Sequence, residues 1–411
     1  MRQLYTFGIR LYWLVAILLY PFNTKAKKWV FGRLNWRNNL PPKTSKKRVW
    51  FHCASLGEFE QARPTIEKIA GPDIDIILSF FSPSGYEIRK NYELASYVFY
   101  LPIDTPINAK DLIEGLQPSL MVFVKYDVWP NLLKEAHRKA IPVTLISAVF
   151  RKDQIYFKTW GTFFRNALKS LNTIFVQDEN SKILLSKIGV ESKIAGDVRF
   201  DRAQEVLNSN FEDDFLDSFC AESTVLVFGS IYNVEHHWLK HLIAELTALN
   251  NSIKVIIAPH QVDSDHLHEV KSHFPNAYYY TKHKEKTPKF ESKVLVLDTI
   301  GLLTFVYRYA DLAYVGGGFG KSLHNALEAA VYGIPVVVGP NHIRFPEVDE
   351  MEKSAGIIQV NNQAEFKRTI TSFCKAPKQF IQKGKLNKSF MENRAGASQK
   401  IVEEIQQILN P

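Results

Sequence analysis

The run Ala313-Tyr314-Val315-Gly316-Gly317-Gly318-Phe319-Gly320-Lys321-Ser322-Leu323-His324-Asn325-Ala326-Leu327-Glu328-Ala329-Ala330, continued by Val331-Tyr332-Gly333-Ile334-Pro335-Val336-Val337-Val338-Gly339-Pro340, constrains the fold more than any other stretch. It reads as strand, glycine loop, helix, strand. Ala313 to Val315 is a short β-favouring apolar run, and the glycines after it let the backbone turn sharply and leave room beside it for a ligand. Ser322 is placed to cap a helix whose apolar positions Leu323, Ala326, Leu327, Ala330 and Val331 share one face. Gly333 supplies its stop, and Pro335 to Val338 resume a buried strand. The spacing predicts a βαβ unit with its loop at the carboxyl end of the first strand, where open α/β sheets bind ligands. A helix amino terminus at that point suits a phosphate.

Two familiar phosphate motifs fail on spacing. A P-loop needs glycine where Val315 stands, and a dinucleotide fingerprint starting at Gly316 needs glycine or alanine where Lys321 stands. Lys321, His324, Asn325 and Glu328 nonetheless crowd polar groups onto one loop and one helical turn, which favours a ligand over a bare glycine turn.

A chain of 411 residues exceeds one compact core and is most simply two domains of about 200 residues each. Its formal charge of +9 favours anionic partners such as a membrane surface or a nucleotide. Lys and Arg are scattered and no RNA- or DNA-binding motif occurs, so no nucleic acid is expected. Cys53, Cys220 and Cys374 are odd in number and far apart, as in a reducing compartment without a disulfide framework. No pair of them has metal-site spacing. His237 and His241 lie four apart but lack the glutamate of a zinc protease between them, so no metal is expected.

From the amino terminus, Leu11 to Phe22 form an apolar run shorter than the roughly 20 residues of a spanning helix. Tyr5, Tyr12, Trp13 and Tyr20 are interfacial aromatics, and Lys25, Lys27, Lys28, Arg33 and Arg37 form a positive flank for anionic lipid on the cytoplasmic side. Residues 1–24 are therefore expected to anchor the chain, either spanning the membrane or lying in its interface.

After a polar linker, strands are expected at Arg48–His52, Ile74–Ser79, Leu120–Val124, Ile141–Ser147 and Thr173–Gln177, alternating with helices in an amino-terminal domain over 45–205. Glu58 falls at the mouth of the first βα loop, where a carboxylate serves as a general base. Spacing alone puts a helix-capping role ahead of that one. An acidic interdomain linker follows, to about residue 222. Thr224–Phe228, Ile253–Ile257 and Val294–Leu297 then begin a second α/β domain over 222–388, and each strand ends in a polar or glycine turn. A carboxyl-terminal helix over 389–411 carries Ile401, Val402, Ile405, Ile408 and Leu409 on one face, able to pack on either domain.

In their order and spacing, His52-Cys53-Ala54-Ser55-Leu56-Gly57-Glu58, Trp129-Pro130-Asn131, Gly229-Ser230, Ala258-Pro259-His260, Asp298-Thr299, His324-Asn325-Ala326-Leu327-Glu328 and Gly339-Pro340 resemble the 3-deoxy-D-manno-octulosonic acid (Kdo) transferases of lipopolysaccharide assembly. The resemblance runs through nearly the whole chain. It implies a GT-B glycosyltransferase: two Rossmann-like doubly wound domains facing a cleft, with an N-terminal membrane-anchoring helix. CMP-Kdo would be the donor substrate, with no other cofactor, and a lipid A precursor at the cytoplasmic face of the inner membrane the acceptor. No protein partner is implied. Glu58 would be the base. The donor would meet Gly229, Ser230, His260, Gly318, Lys321, Ser322, His324, Asn325 and Glu328, the last on the ribose hydroxyls, and the acceptor Ser55, Gly57, Asp127 and Trp129.

The chain departs from many relatives at Ser322-Leu323, where they have two glycines, and at Tyr126-Asp127-Val128, where they have Thr-Glu-Leu. Pro259 also directly precedes His260, without the usual arginine between them. Lys321 and Arg199 are the cations expected in its stead. Two further readings stay open: a GT-B transferase or epimerase acting on a UDP-sugar, and an inactive membrane-recruited scaffold.

Overall fold

Strand β1 (Lys47–Cys53) lies inside the first of two sheets, and its alternation decides what covers each side. Val49, Phe51 and Cys53 face a layer built by Phe59, Ala62 and Ile66 of the helix Leu56–Ile69. Trp50 faces the opposite layer with Leu112, Ile113, Leu132 and Leu133. Continuous burial on both faces is what a parallel strand with helices on both sides requires. The structure, a computed structural model, describes residues 1–284, 290–320 and 322–410.

The chain divides into two compact units, residues 1–202 with 395–411, and residues 203–394. In the first, β1 is followed by β2 (Ile74–Phe80), β3 (Tyr97–Tyr100), β4 (Leu120–Val124), β5 (Val143–Ala148), β6 (Thr173–Val176) and β7 (Lys193–Ile194), in the parallel order β3-β2-β1-β4-β5-β6-β7. The second holds β8 (Thr224–Ile231), β9 (Ile253–Pro259), β10 (Tyr278–Tyr279), β11 (Val294–Val296), β12 (Leu312–Val315), β13 (Val336–Val338) and β14 (Ile357–Gln359), ordered β10-β11-β9-β8-β12-β13-β14. This is the expected α/β class. In both sheets the strand order reverses at an inner pair, β1 with β4 and β8 with β12. Connections leave such a pair in opposite directions and open a crevice at its carboxyl ends.

Several local expectations are corrected. The helix expected from Ser322 is a single turn, Leu327–Ala330. Residues 322–325 run in irregular structure because their backbone is committed elsewhere: Leu323 N–H donates to Asn341 O at 3.0 Å and His324 N–H to Gly316 O at 3.1 Å. The acidic stretch expected as linker is largely helical, Val198–Asn208 and Asp214–Cys220, the latter capped by Asp213. Strand β8 continues through Gly229 and Ser230 to Ile231, with an irregularity after Phe228 and Ser230 at φ 54°. The carboxyl-terminal segment is two helices, Ile381–Glu392 and Ala397–Leu409, broken at Gly396 with φ 107°. The second of these packs on the first unit, burying Ile401, Val402, Ile405 and Leu409 in the layer around Phe51.

The amino-terminal helix α1 (Arg2–Leu19) and the short helix α2 (Thr24–Phe31) also belong to the first unit. No described helix is long and apolar enough to cross a membrane. One side of α1 is fastened to the unit. Tyr5 OH donates to Asp104 at 2.9 Å, Arg2 Nε donates to Asn131 Oδ1 at 2.8 Å, and the rings of Tyr12 and Trp13 lie against Trp29. The other side exposes Leu4, Phe7, Leu11, Leu14, Val15, Leu18 and Leu19. Their spacing of three and four residues forms one ridge.

Candidate active site

At the carboxyl ends of β1 and β4 the first unit assembles four ionisable side chains. Glu58 sits in the first turn of the helix Leu56–Ile69 and is 8% exposed. Its Oε2 accepts the Ala54 N–H at 2.6 Å, so the carboxylate ties down the turn that leads into its own helix. Burial, and next the charge of Asp127, raise its pKa to about 7, against the opposing Ala54 N–H and Lys125. A carboxyl group so placed divides between acid and base near neutral pH. The capping role and an ionisation suited to a base therefore coexist in one side chain.

Asp127 follows β4. Its Oδ2 lies 2.9 Å from His52 Nε2 and accepts the Trp129 indole N–H at 3.4 Å. His52, 1% exposed at the end of β1, has Nδ1 2.8 Å from Ser79 Oγ, which also accepts the Trp50 indole N–H at 2.7 Å. The Trp50 proton occupies one lone pair of Ser79, leaving its hydroxyl hydrogen for His52 Nδ1. Nε2–H then faces the Asp127 carboxylate, and three side chains, Trp50 and His52 of β1 and Ser79 of β2, hold Asp127 in one orientation. Lys125, at φ 64°, turns toward the same cluster, with its pKa lowered by burial while Glu58 acts to raise it.

Ser55 caps the helix Leu56–Ile69 by position but makes no side-chain cap bond, and a Cβ on Gly57 would meet nothing within 4 Å. The face beside Glu58 is thus open at both residues. In Trp129-Pro130-Asn131 the roles divide. Trp129 packs on Phe81 and near His52, and Pro130 starts a helix. Asn131, 1% exposed, donates its backbone N–H to Asp104 and receives Arg2 of α1. His52 and Lys125 are the members that sequence reasoning passed over; the signal was their place at the ends of β1 and β4.

In the second unit the glycine loop leaves β12 beside the end of β8. Gly317 has φ 89°, a conformation side chains rarely adopt. A Cβ on Gly318 would stand 2.6 Å from the Gly339 Cα, so the loop crosses that backbone where only glycine fits. Glu235, 1% exposed, holds the loop from below: Oε1 accepts Gly317 N–H at 3.0 Å and Tyr314 OH at 2.8 Å, and Oε2 accepts Tyr232 N–H at 2.6 Å. Burial raises its pKa, opposed by those three bonds. Its position early in the helix Asn233–Leu249, three residues after Tyr232, is the sequence signal for this role.

The donor-site residues expected in this unit fall into three groups. His260 and His324 stack with Tyr232, at ring separations of 4.4 Å for Tyr232–His260 and 4.5 Å for His260–His324. His324 Nε2 lies 3.2 Å from Tyr232 OH, and burial, then His260, lower its pKa to about 4. Both imidazoles are shifted down, which leaves them neutral at pH 7. Asn325 bridges the single helical turn, donating Nδ2–H to Glu328 Oε1 at 3.0 Å and accepting Leu327 N–H at 3.2 Å. Gly229 lies at the switch-point pair itself, its carbonyl accepting Gly316 N–H at 2.8 Å, with Ser230 beside it and Gly318 and Ser322 on the loop. Lys321 lies outside the described residues. Arg199, the other cation expected at the donor, belongs to the first unit and pairs with Asp197 at 2.6 Å.

Residues 30–202 match the family model described as 3-deoxy-D-manno-octulosonic-acid transferase (kdotransferase). Curated transferases of that name align along most of the chain. The one from Chlamydophila psittaci is 26% identical, covering 82% of this chain and 80% of its own, and the one from Haemophilus influenzae is 25% identical, covering 86% of each. The chain is similar to Kdo transferases along most of its length. Its fold is shared more widely: a UDP-GlcNAc 2-epimerase from Neisseria meningitidis, bound to UDP-GlcNAc, superposes with a TM-score of 0.60 at 15% identity, over 88% of this chain and all of its own. At Tyr126-Asp127-Val128, where the resemblance leads one to expect Thr-Glu-Leu, Asp127 places a carboxylate beside Glu58, one methylene shorter.

Proposed function

We propose that this protein is a Kdo transferase that moves Kdo from CMP-Kdo to a sugar hydroxyl of a lipid A precursor, with Glu58 as general base. The observation that carries the reading is a buried carboxyl group with pKa about 7 in a chain aligned nearly end to end with Kdo transferases. In the reaction the acceptor oxygen bonds to the anomeric carbon as the bond from that carbon to the CMP phosphate oxygen breaks. The hydroxyl proton passes to Glu58 Oε1, the oxygen not engaged with Ala54. The electron pair leaves with CMP, whose charge is met by backbone donors of the glycine loop and by Ser322. Asn325 and Glu328 take the ribose hydroxyls, and Ser55, Gly57, Asp127 and Trp129 line the acceptor's approach.

Helix α1 places the enzyme at its substrate. Its exposed ridge lies in the interface of the cytoplasmic leaflet rather than through the bilayer, and Lys25 and Lys27 reach anionic headgroups. The catalytic units then work on the cytoplasmic face of the inner membrane. Mass spectrometry of a lipid A precursor incubated with the protein and CMP-Kdo tests donor, acceptor and product number together. A mass gain of Kdo units is expected. Turnover with UDP-sugars alone would replace this reading with a UDP-sugar enzyme, and no turnover with either class would leave a scaffold.

A further inference from the structure

Next to the glycine loop the second unit holds a pocket of about 110 Å³, lined by Tyr232, Asn233, His236, His260, Gln261 and Glu269. It sits where the helices Asn233–Leu249 and Ser264–His273 leave the ends of β8 and β9. His236 is 5% exposed, and neither of its ring nitrogens has a hydrogen-bond partner among the described residues. Buried polar atoms are ordinarily paired, so an imidazole with both nitrogens buried and unpaired in the wall of a pocket marks a place for a ligand.

The chemistry of that ligand follows from the lining. Burial lowers the His236 pKa to about 4, so the ring is neutral and offers one donor and one acceptor. A hydroxyl group, itself donor and acceptor, is its complement. The Glu269 carboxylate on the same wall disfavours a phosphate or a carboxylate. The pocket and the glycine loop share a partition of one stacked layer, because Tyr232 and His260 line the pocket while His324 of the loop lies 4.5 Å from His260. A sugar whose phosphate rests on the loop reaches the pocket with an arm.

We propose that this pocket receives the 1,2-dihydroxyethyl side chain of the eight-carbon sugar, with His236 as the specificity residue for its hydroxyl groups. The proposal rests on CMP-Kdo as donor. The arm has four heavy atoms, which 110 Å³ holds with room for a bridging water. A hexose carries only a hydroxymethyl group there and leaves one of the two hydroxyl positions unfilled.

The test compares kcat/KM for CMP-Kdo and for a CMP-activated seven-carbon analogue lacking the terminal hydroxymethyl group, in the full-length enzyme, with CMP inhibition as a control for the nucleotide site. The wild type is expected to favour CMP-Kdo by about tenfold or more, the value of a lost hydrogen bond in a polar site. His236→Leu should lose CMP-Kdo efficiency until the two donors are nearly equal, with CMP inhibition unchanged. His236→Gln, which keeps a donor and an acceptor, should retain part of the preference and serves if the leucine variant fails to fold. A variant that keeps the wild-type ratio, or that weakens both donors equally, overturns the pocket assignment. A wild type that uses neither CMP donor overturns the donor reading itself.

Discussion

Glu58 is anchored through one oxygen and open at the other, and that division sets its expected pH behaviour. As the proposed base, with pKa about 7, it would work in its ionised form, so the rate should rise with pH through about 7 and level above it. Asp127 raises that pKa. Asp127→Asn removes the neighbouring charge, and the acidic limb of kcat/KM against pH should therefore move to lower pH; a limb that stays in place would detach Asp127 from Glu58. Glu58→Gln should lower kcat by about 10²–10⁴-fold while CMP still protects against heat, as judged by initial rates and thermal shift. Glu235 acts through position instead. Its two oxygens accept three donors, and Glu235→Gln turns an NH₂ group toward at least one of them. The donor KM should rise about tenfold, and stability should fall by about 1–3 kcal/mol in urea titration.

Among elements, the strands were the most legible from sequence because buried parallel strands are short apolar runs, and Val122, Ile256 and Val337 announce theirs. The glycine loop was legible as a loop but not in its exit. Leu323, Ala326 and Leu327 have helical spacing, yet the backbone before Leu327 is held by Asn341 and Gly316, tertiary partners that no local pattern encodes. The acidic stretch before residue 222 misled in the opposite direction: Asp213 and Asp214 are cap and first-turn residues of a helix that buries Phe215, Leu216 and Phe219. Motifs alone single out Glu58 and Asp127, whereas His52 and Lys125 gain meaning only once β1 and β4 are neighbours. For α1, replacing Leu11 and Leu18 of the exposed ridge by Glu should abolish flotation with anionic vesicles. Soluble activity on a de-acylated acceptor should persist, because the docked side through Arg2, Tyr5 and Tyr12 is untouched.

At the scale of the molecule, each unit has its own sheet and its own buried layers, so each should respond separately to ligand and to damage. CMP is expected to raise the unfolding temperature of the second unit and leave that of the first in place, giving calorimetric transitions that move apart as CMP is added. Deleting residues 397–411 removes Ile401, Val402, Ile405 and Leu409 from the layer around Phe51, at about 1.5–3 kcal/mol for each buried side chain. The first transition should then drop sharply while the second keeps its CMP response.

The same helix orders events during synthesis. The ribosome releases β1 to β7 early, but the layer over Phe51 lacks the helix Ala397–Leu409 until the entire second unit has been translated. A nascent chain therefore presents an unfinished apolar surface together with the ridge of α1, and a stalled or truncated product would be a client for chaperones or proteases rather than a half-enzyme.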